Sequence, residues 1–222
     1  MLGLWVRLKI AETPEFAEAL EREPPVAVPI WQLITRYPGA MLAGSAGVIA
    51  CYAIFYLATN FALAQATGPL GYPRETFLLI QLFAILFLAA GTVAAAWHAD
   101  RGSPARTLTL GALLFVPIGA AFGPGLTSGS LGLATLTLCV TLFCMGFTNA
   151  PLGGWLSSLF PVRMRYSGVA FAFNFGGILG GAVTPLIAQM MTNAGMGAQV
   201  GLLLTLAAAL SLGGFRLARA AD

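Results

Sequence analysis

Charge is what this chain has least of. Only 9% of its 222 residues are Asp, Glu, Lys or Arg, whereas an ordinary soluble domain carries roughly 25%. Residues 37–73, 76–99, 107–162 and 166–215 contain none at all. About 20 apolar residues cross a bilayer, so each stretch is long enough for one span and the last two for two. In water such a chain would expose more apolar surface than a fold can hide. The scarcity of charge therefore excludes an ordinary soluble domain and makes lipid the solvent.

Histidine and cysteine are nearly absent as well. The chain has one His, at position 98, so a His-based metal site lacks ligands. Cys51, Cys139 and Cys144 all fall within apolar stretches and read as small core residues rather than as a disulfide or metal framework. No nucleophile–base pair, metal-ligand cluster or phosphate-binding glycine loop is present, so the expectation is no enzyme, no metal and no cofactor. Met1 to Val6 is apolar but too short for a signal core, which predicts no cleaved leader. The net charge of +3 would point to nucleic acid in a soluble protein. Here the cations sit at the edges of apolar stretches, where they set orientation, and no nucleic-acid partner is expected.

What is present is organised in two parts. Residues 1–37 are predicted to be a cytoplasmic segment containing a short helix. Thr13 caps its start, Pro14 lies in its first turn, and Glu18 and Arg22 are spaced for an ion pair. Pro24, Pro25 and Pro29 are expected to end it, and Trp31, Leu33, Ile34 and Tyr37 to lead into the membrane. Residues 38–222 are predicted to be an all-α six-helix transmembrane bundle. Spans are expected at about 39–64, 76–98, 106–124, 130–159, 166–191 and 198–216. The cuts follow turn chemistry: the Gly68–Pro73 run, Gly102-Ser103-Pro104, Gly123-Pro124-Gly125 with Ser128-Gly129-Ser130, Phe160-Pro161, and Asn193-Ala194-Gly195. With six spans, ten of the 11 Lys and Arg fall on one side and Arg74 alone on the other. The positive-inside bias then predicts both termini in the cytoplasm.

No ionisable acid or base lies deep in a span, so the polar candidates are neutral. Tyr52, Tyr56, Thr59 and Asn60 recur along one face of the first span. Gln81 lies in the second, Thr148 and Asn149 in the fourth, and Asn174 in the fifth. Any one of them reads first as an interhelical hydrogen bond, at about 1 kcal/mol; taken together, Tyr52, Tyr56, Asn60, Gln81, Asn149 and Asn174 are predicted to line a cavity. Gly176, Gly177, Gly180 and Gly181 form overlapping small-xxx-small patterns, read as either tight packing or a sliding contact. On the cationic side, Asp100, Arg101 and Arg106 stand in one loop and Arg163 and Arg165 in another. They serve either to set topology or as a gate in which Asp100 meets an arginine or the start of the fifth helix.

These residues have a family resemblance. Asp100-Arg101 through Arg106-Thr107-Leu108 resembles the Asp-Arg-x-Gly-Arg-Arg loop signature of the major facilitator superfamily, with Ser103, Pro104 and Ala105 replacing Gly, Arg and Arg. Residues 6–14, 55–63, 128–130, 159–168 and 174–180 resemble its metabolite:proton symporter branch, which includes permeases for α-ketoglutarate, shikimate, citrate and proline/betaine. The resemblance covers essentially the whole chain, and it implies a twelve-span fold of which this chain corresponds to the C-terminal half. Ser157 and Ser158 replace an acidic residue usual in that branch. The implied function is transport of a small polar metabolite, an organic acid or zwitterion, coupled to H+ by alternating access in the bacterial inner membrane. The N-terminal six-helix half, or a second copy, is the implied partner. The alternative is a non-transporting remnant of a split or truncated gene.

Overall fold

The computed structural model describes residues 29–221, with side-chain surroundings for residues 31–218. The helix expected at Thr13–Pro14 lies outside the described residues. A short helix, α1 (Pro29–Arg36), precedes the membrane helices. Pro29 opens α1, because a fixed φ and a missing N–H are tolerated in a first turn. Leu33 of α1 is fully buried against Met41, Phe160 and Met164, which ties α1 to the arginine-rich end of the bundle.

Among the described residues, six helices are long and apolar enough to cross a membrane: α2 (Pro38–Thr67), α3 (Arg74–Arg101), α4 (Pro104–Thr127), α5 (Leu131–Ser158), α6 (Val162–Asn193) and α7 (Gly197–Ala218). The predicted all-α six-span bundle is therefore found. Ser103 caps α4 by accepting from the Arg106 N–H, and Ser130 caps α5 by accepting from the Leu133 N–H. Gly129 and Gly195 turn the chain at φ 75° and 78°, a left-handed backbone that side chains oppose.

One predicted junction is displaced. Gly123-Pro124-Gly125 does not end the third span; α4 runs through Pro117 and Pro124 to Thr127. The glycines serve packing instead. A Cβ on Gly123 would strike the Ala198 carbonyl, and one on Gly125 would strike Thr137 Oγ1. Pro151 does interrupt α5, whose first segment ends at Asn149 and whose second begins at Leu152. Without an N–H, Pro151 cannot close the ladder to the residue four before it.

The packing order has a centre. In the most apolar window of α2, 67% of residues are buried, against 17% for α3 and 22% for α6. Helix α2 packs on α6 and α7, α3 on α5, and α4 on both α5 and α7. Lipid gives apolar helices no reason to associate, so close backbone approach has to supply the contact. Gly91 of α3 meets the Phe143 carbonyl and Gly146 of α5 meets the Gly91 backbone. Gly201 of α7 meets the Gly119 carbonyl of α4, and Gly214 of α7 lies against the Ala43 carbonyl of α2.

Candidate functional site

The middle of α2 leaves regular α geometry. Leu57–Phe61 is a π-helical turn, in which the Ala62 N–H bonds back to the Leu57 carbonyl five residues earlier. Such a turn leaves carbonyls of the ladder in need of donors. Gln81 of α3 supplies them: its Nε2 donates to the Ala58 carbonyl at 3.0 Å and to the Thr59 carbonyl at 2.7 Å. A second π-helical turn, Ile178–Val183, lies in α6, where Thr184 Oγ1 donates to the Leu179 carbonyl at 3.1 Å. Each irregular turn thus receives a donor from within the protein, where the bilayer offers none.

A cavity is lined by the segments of α2 and α6 that precede these turns. A space of about 250 Å³ is lined from α2 by Cys51, Tyr52 and Phe55, from α3 by Leu88, from α5 by Met145 and Asn149, and from α6 by Phe173. Tyr52 stacks on Tyr56 at a centroid distance of 6.4 Å and meets Phe173 edge-on at 6.4 Å. Cys51 Sγ and Asn149 Oδ1 lie 3.8 Å apart at the cavity wall. The wall therefore offers aromatic surface and neutral hydrogen-bonding groups, and no charge.

The structure separates the six predicted cavity residues. Tyr52 and Asn149 line the space. Tyr56 stands beside it through its ring contact with Tyr52. Asn149, Asn60 and Asn174 are all exposed at the surface of the bundle. The Asn174 amide is partly engaged, donating to the Ala170 carbonyl at 2.8 Å. Gln81 is not among the lining residues, and its amide nitrogen is committed to the π-turn carbonyls. The four glycines divide by function. Gly176 and Gly180 lie on the Ser45 and Ile49 carbonyls of α2, whereas a Cβ added to Gly177 or Gly181 would come within 3.3 Å of the Tyr52 ring or 2.8 Å of the Tyr56 ring. Side chains at these last two positions would displace the tyrosines.

At the arginine-rich end, Asp100 and Arg106 are exposed. The Arg101 guanidinium lies 3.6 Å above the Trp97 ring, a cation–π contact. Arg163 and Arg165 are half-buried at the start of α6. Arg163 is engaged, and no ion pair among the described residues joins Asp100 to Arg165.

Two contacts were missed in the sequence. His98 Nδ1 lies 2.8 Å from Thr107 Oγ1, joining the end of α3 to the start of α4. The Ser211 hydroxyl of α7 donates to the Ala46 carbonyl at 2.8 Å and accepts from the Ala50 N–H at 3.0 Å. It is thereby inserted between the two partners of one turn of α2. A serine within an otherwise apolar span was the available signal.

The sequence of the chain has counterparts among known proteins. The chain is 33% identical over 218 residues to the inner membrane metabolite transport protein YhjE of Escherichia coli K12, covering 96% of this chain and 49% of that protein. The chain is homologous to half of a major-facilitator metabolite transporter. The same relationship extends to the shikimate transporter of E. coli K12, at 26% identity over 85% of this chain and 44% of the relative. It extends also to the proline/betaine transporter of that strain, at 26% identity over 87% and 40%. The chain spans about half the length of these relatives, consistent with their C-terminal half. No family model and no solved structure matches it.

Proposed function

We propose that this chain forms one six-helix half of a carrier that moves a small polar metabolite, an organic acid or a zwitterion, by alternating access. The observation that carries the reading is the placement of Asn60, Asn149 and Asn174. All three are exposed on spans that otherwise present apolar groups. An amide facing hydrocarbon is costly, so it belongs on a face that meets water, substrate or another protein surface. Asn149 already borders the 250 Å³ space, and α3 and α6, which contribute Leu88 and Phe173 to its wall, are the two least buried spans.

In this reading a second six-helix bundle closes the open side, whether on a separate chain, in a second copy or within a longer polypeptide. The two bundles rock about a midplane site. This half carries no intramembrane acid or base, so the proton relay of a symporter resides in the other bundle. The cationic loops face the cytoplasm of a bacterial inner membrane, with both termini on that side. Asp100, Arg101, Arg106, Arg163 and Arg165 form the cytoplasmic gate of the working carrier. The protein has a transport function and no catalytic one.

The test is uptake of labelled dicarboxylates and betaines by cells expressing the chain with and without a companion half from its genomic neighbourhood. Companion-dependent uptake supports the reading. Stable insertion with no uptake in any combination favours the non-transporting remnant. Within an active pair, Asp100→Asn is expected to change the rate of conformational exchange. Unaltered uptake together with unaltered cysteine accessibility would remove Asp100 from the gate.

A further inference from the structure

A cleft of about 390 Å³ runs between α4 and α5. Its α4 wall is Ile118, Ala121, Pro124 and Gly125, and its α5 wall is Leu133, Leu136, Thr137, Val140 and Thr141. Recurrence at three and four residues keeps each set on one face of its helix, so the cleft follows the helix axes. At 1.5 Å per residue the α5 wall is about 12 Å long. It starts two residues past Leu131, beside the turn at residues 128–130, and ends about 15 Å into the span. One leaflet of hydrocarbon is about 15 Å thick. The cleft therefore has the direction, depth and length of a single acyl chain. Its cause is small side chains. Helix α4 touches α5 at Gly125, where a Cβ would strike Thr137 Oγ1, and one turn further in Ala121 leaves the space unfilled.

What covers the cleft follows from where it opens. Ala121, Pro124, Leu133, Leu136 and Val140 are exposed, so its mouth faces outward. The main contacts order the spans α6, α2, α7, α4, α5, α3. The two ends of that series, α3 and α6, are the least buried spans and leave their shared side open. Helix α4 lies within the series, and its outward face meets the bilayer. The wall supplies nothing for a headgroup or a polar ligand. Residues 107–162 contain no charge, Thr137 has spent its hydroxyl on the Leu133 carbonyl at 2.8 Å, and Thr141 is fully buried. An empty cleft would leave its lining atoms without dispersion partners. A chain inside it is touched from several sides, where a chain on a convex helix is touched from one. We propose that this cleft binds one phospholipid acyl chain, from the leaflet that meets the turn at residues 128–130. The site selects a tail and ignores the headgroup. The tail seals α4 to α5 inward of Gly125.

The full chain is placed in phosphatidylcholine nanodiscs containing a small fraction of the same lipid with a diazirine near the end of one acyl chain. After irradiation, adducts are mapped by peptide mass spectrometry. Ile118, Val140 and Leu82 of α3 all lie about 12–14 Å from the helix ends on that side. Leu82 is 63% exposed, Val140 45% and Ile118 8%, so labelling by exposure alone would rank Leu82 first. The expected result is several-fold more adduct at Ile118 and Val140 than at Leu82. Ala121→Phe fills the cleft from an exposed position and abolishes that excess, as does Val140→Phe read at Ile118. Unchanged labelling of Leu82 reports that each variant is inserted. The same tail on phosphatidylglycerol gives the same pattern. Adducts ranked by exposure overturn the proposal. So does an excess that survives both fillings, or one that depends on the headgroup. Cleft labelling that rises only when the chain is diluted among the discs assigns the face to a second copy and overturns it as well. None of these readouts involves transport, so the result is independent of the carrier reading.

Discussion

Gln81 Nε2 lies 2.7 Å from the carbonyl oxygen of Thr59, and this one contact fixes α3 against the π-turn of α2. The same nitrogen reaches the Ala58 carbonyl at 3.0 Å, so one side chain donates to two adjacent carbonyls of the irregular turn. In hydrocarbon neither group has water to fall back on. Gln81→Leu keeps the bulk and leaves both carbonyls without this donor. It is expected to destabilise the bundle by about 1–2 kcal/mol, measured by unfolding in mixed detergent–SDS micelles. A midpoint identical to the parent would show that the π-turn needs no such support.

Ser211 gives an instructive contrast. Its hydroxyl also bridges backbone groups of α2, but the two it joins, the Ala46 carbonyl and the Ala50 N–H, are natural partners in a helix. When Ser211→Ala removes the hydroxyl, that turn closes on itself. The expected cost in the same unfolding measurement is under about 1 kcal/mol, smaller than for Gln81→Leu. A larger loss at Ser211 than at Gln81 would reverse the argument.

Glycines of the spans differ sharply in what a methyl would meet. Gly91→Ala places Cβ on the Phe143 carbonyl and Gly146→Ala places it on the Gly91 backbone, where no side chain can move aside. Each is expected to cost about 1–3 kcal/mol and to loosen α3 from α5. Gly153→Ala meets open space and is expected to be neutral or slightly stabilising. Thermal denaturation of the three variants in one detergent ranks them, and equal midpoints would mean that the α3–α5 crossing is not a backbone contact.

Asparagines on a watery face are reachable from water. With Cys51, Cys139 and Cys144 replaced by Ala, single cysteines at Asn60, Asn149 and Asn174 are expected to react with a membrane-impermeant charged thiol reagent in open membranes. A cysteine at Leu136, 59% exposed on α5, is expected to face lipid and stay unlabelled. Protection of all three asparagine positions, in every condition, would turn them into structural residues.

An even number of spans predicts that the two ends of the chain share one face. Tags at residues 1 and 222 are expected to be protected in intact bacterial cells, while a tag in the loop around Gly71 is expected to be accessible from outside. Ends on opposite faces would break the pairing of spans with the arginine distribution.

Glycine at position 123 shows where one-dimensional reading misleads. Gly-Pro-Gly is turn chemistry in water, but in α4 both glycines meet neighbouring helices and the proline is accommodated within the span. Gln81 shows the same limit from the other side. It was legible as a polar residue within a span, but its target depends on an irregular turn in another helix that no local pattern announces. Tyr52 and Asn149 were legible because neutral polar groups are few in these spans, and their convergence required α2 and α5 to be rotated toward one space. The contact of His98 with Thr107 was not legible because a lone histidine at a helix end carries no pattern of its own.

The sequence by itself determined the solvent, the number of spans and the sidedness of the cations. These depend on the length of charge-free runs and on a fixed rise per residue, both local properties of the chain. Only the tertiary structure decided which glycines touch, which carbonyls Gln81 serves and which asparagines stay uncovered. Those depend on how each helix is rotated about its axis. In lipid that rotation is set by the fit of backbone against backbone, because apolar burial favours no particular face.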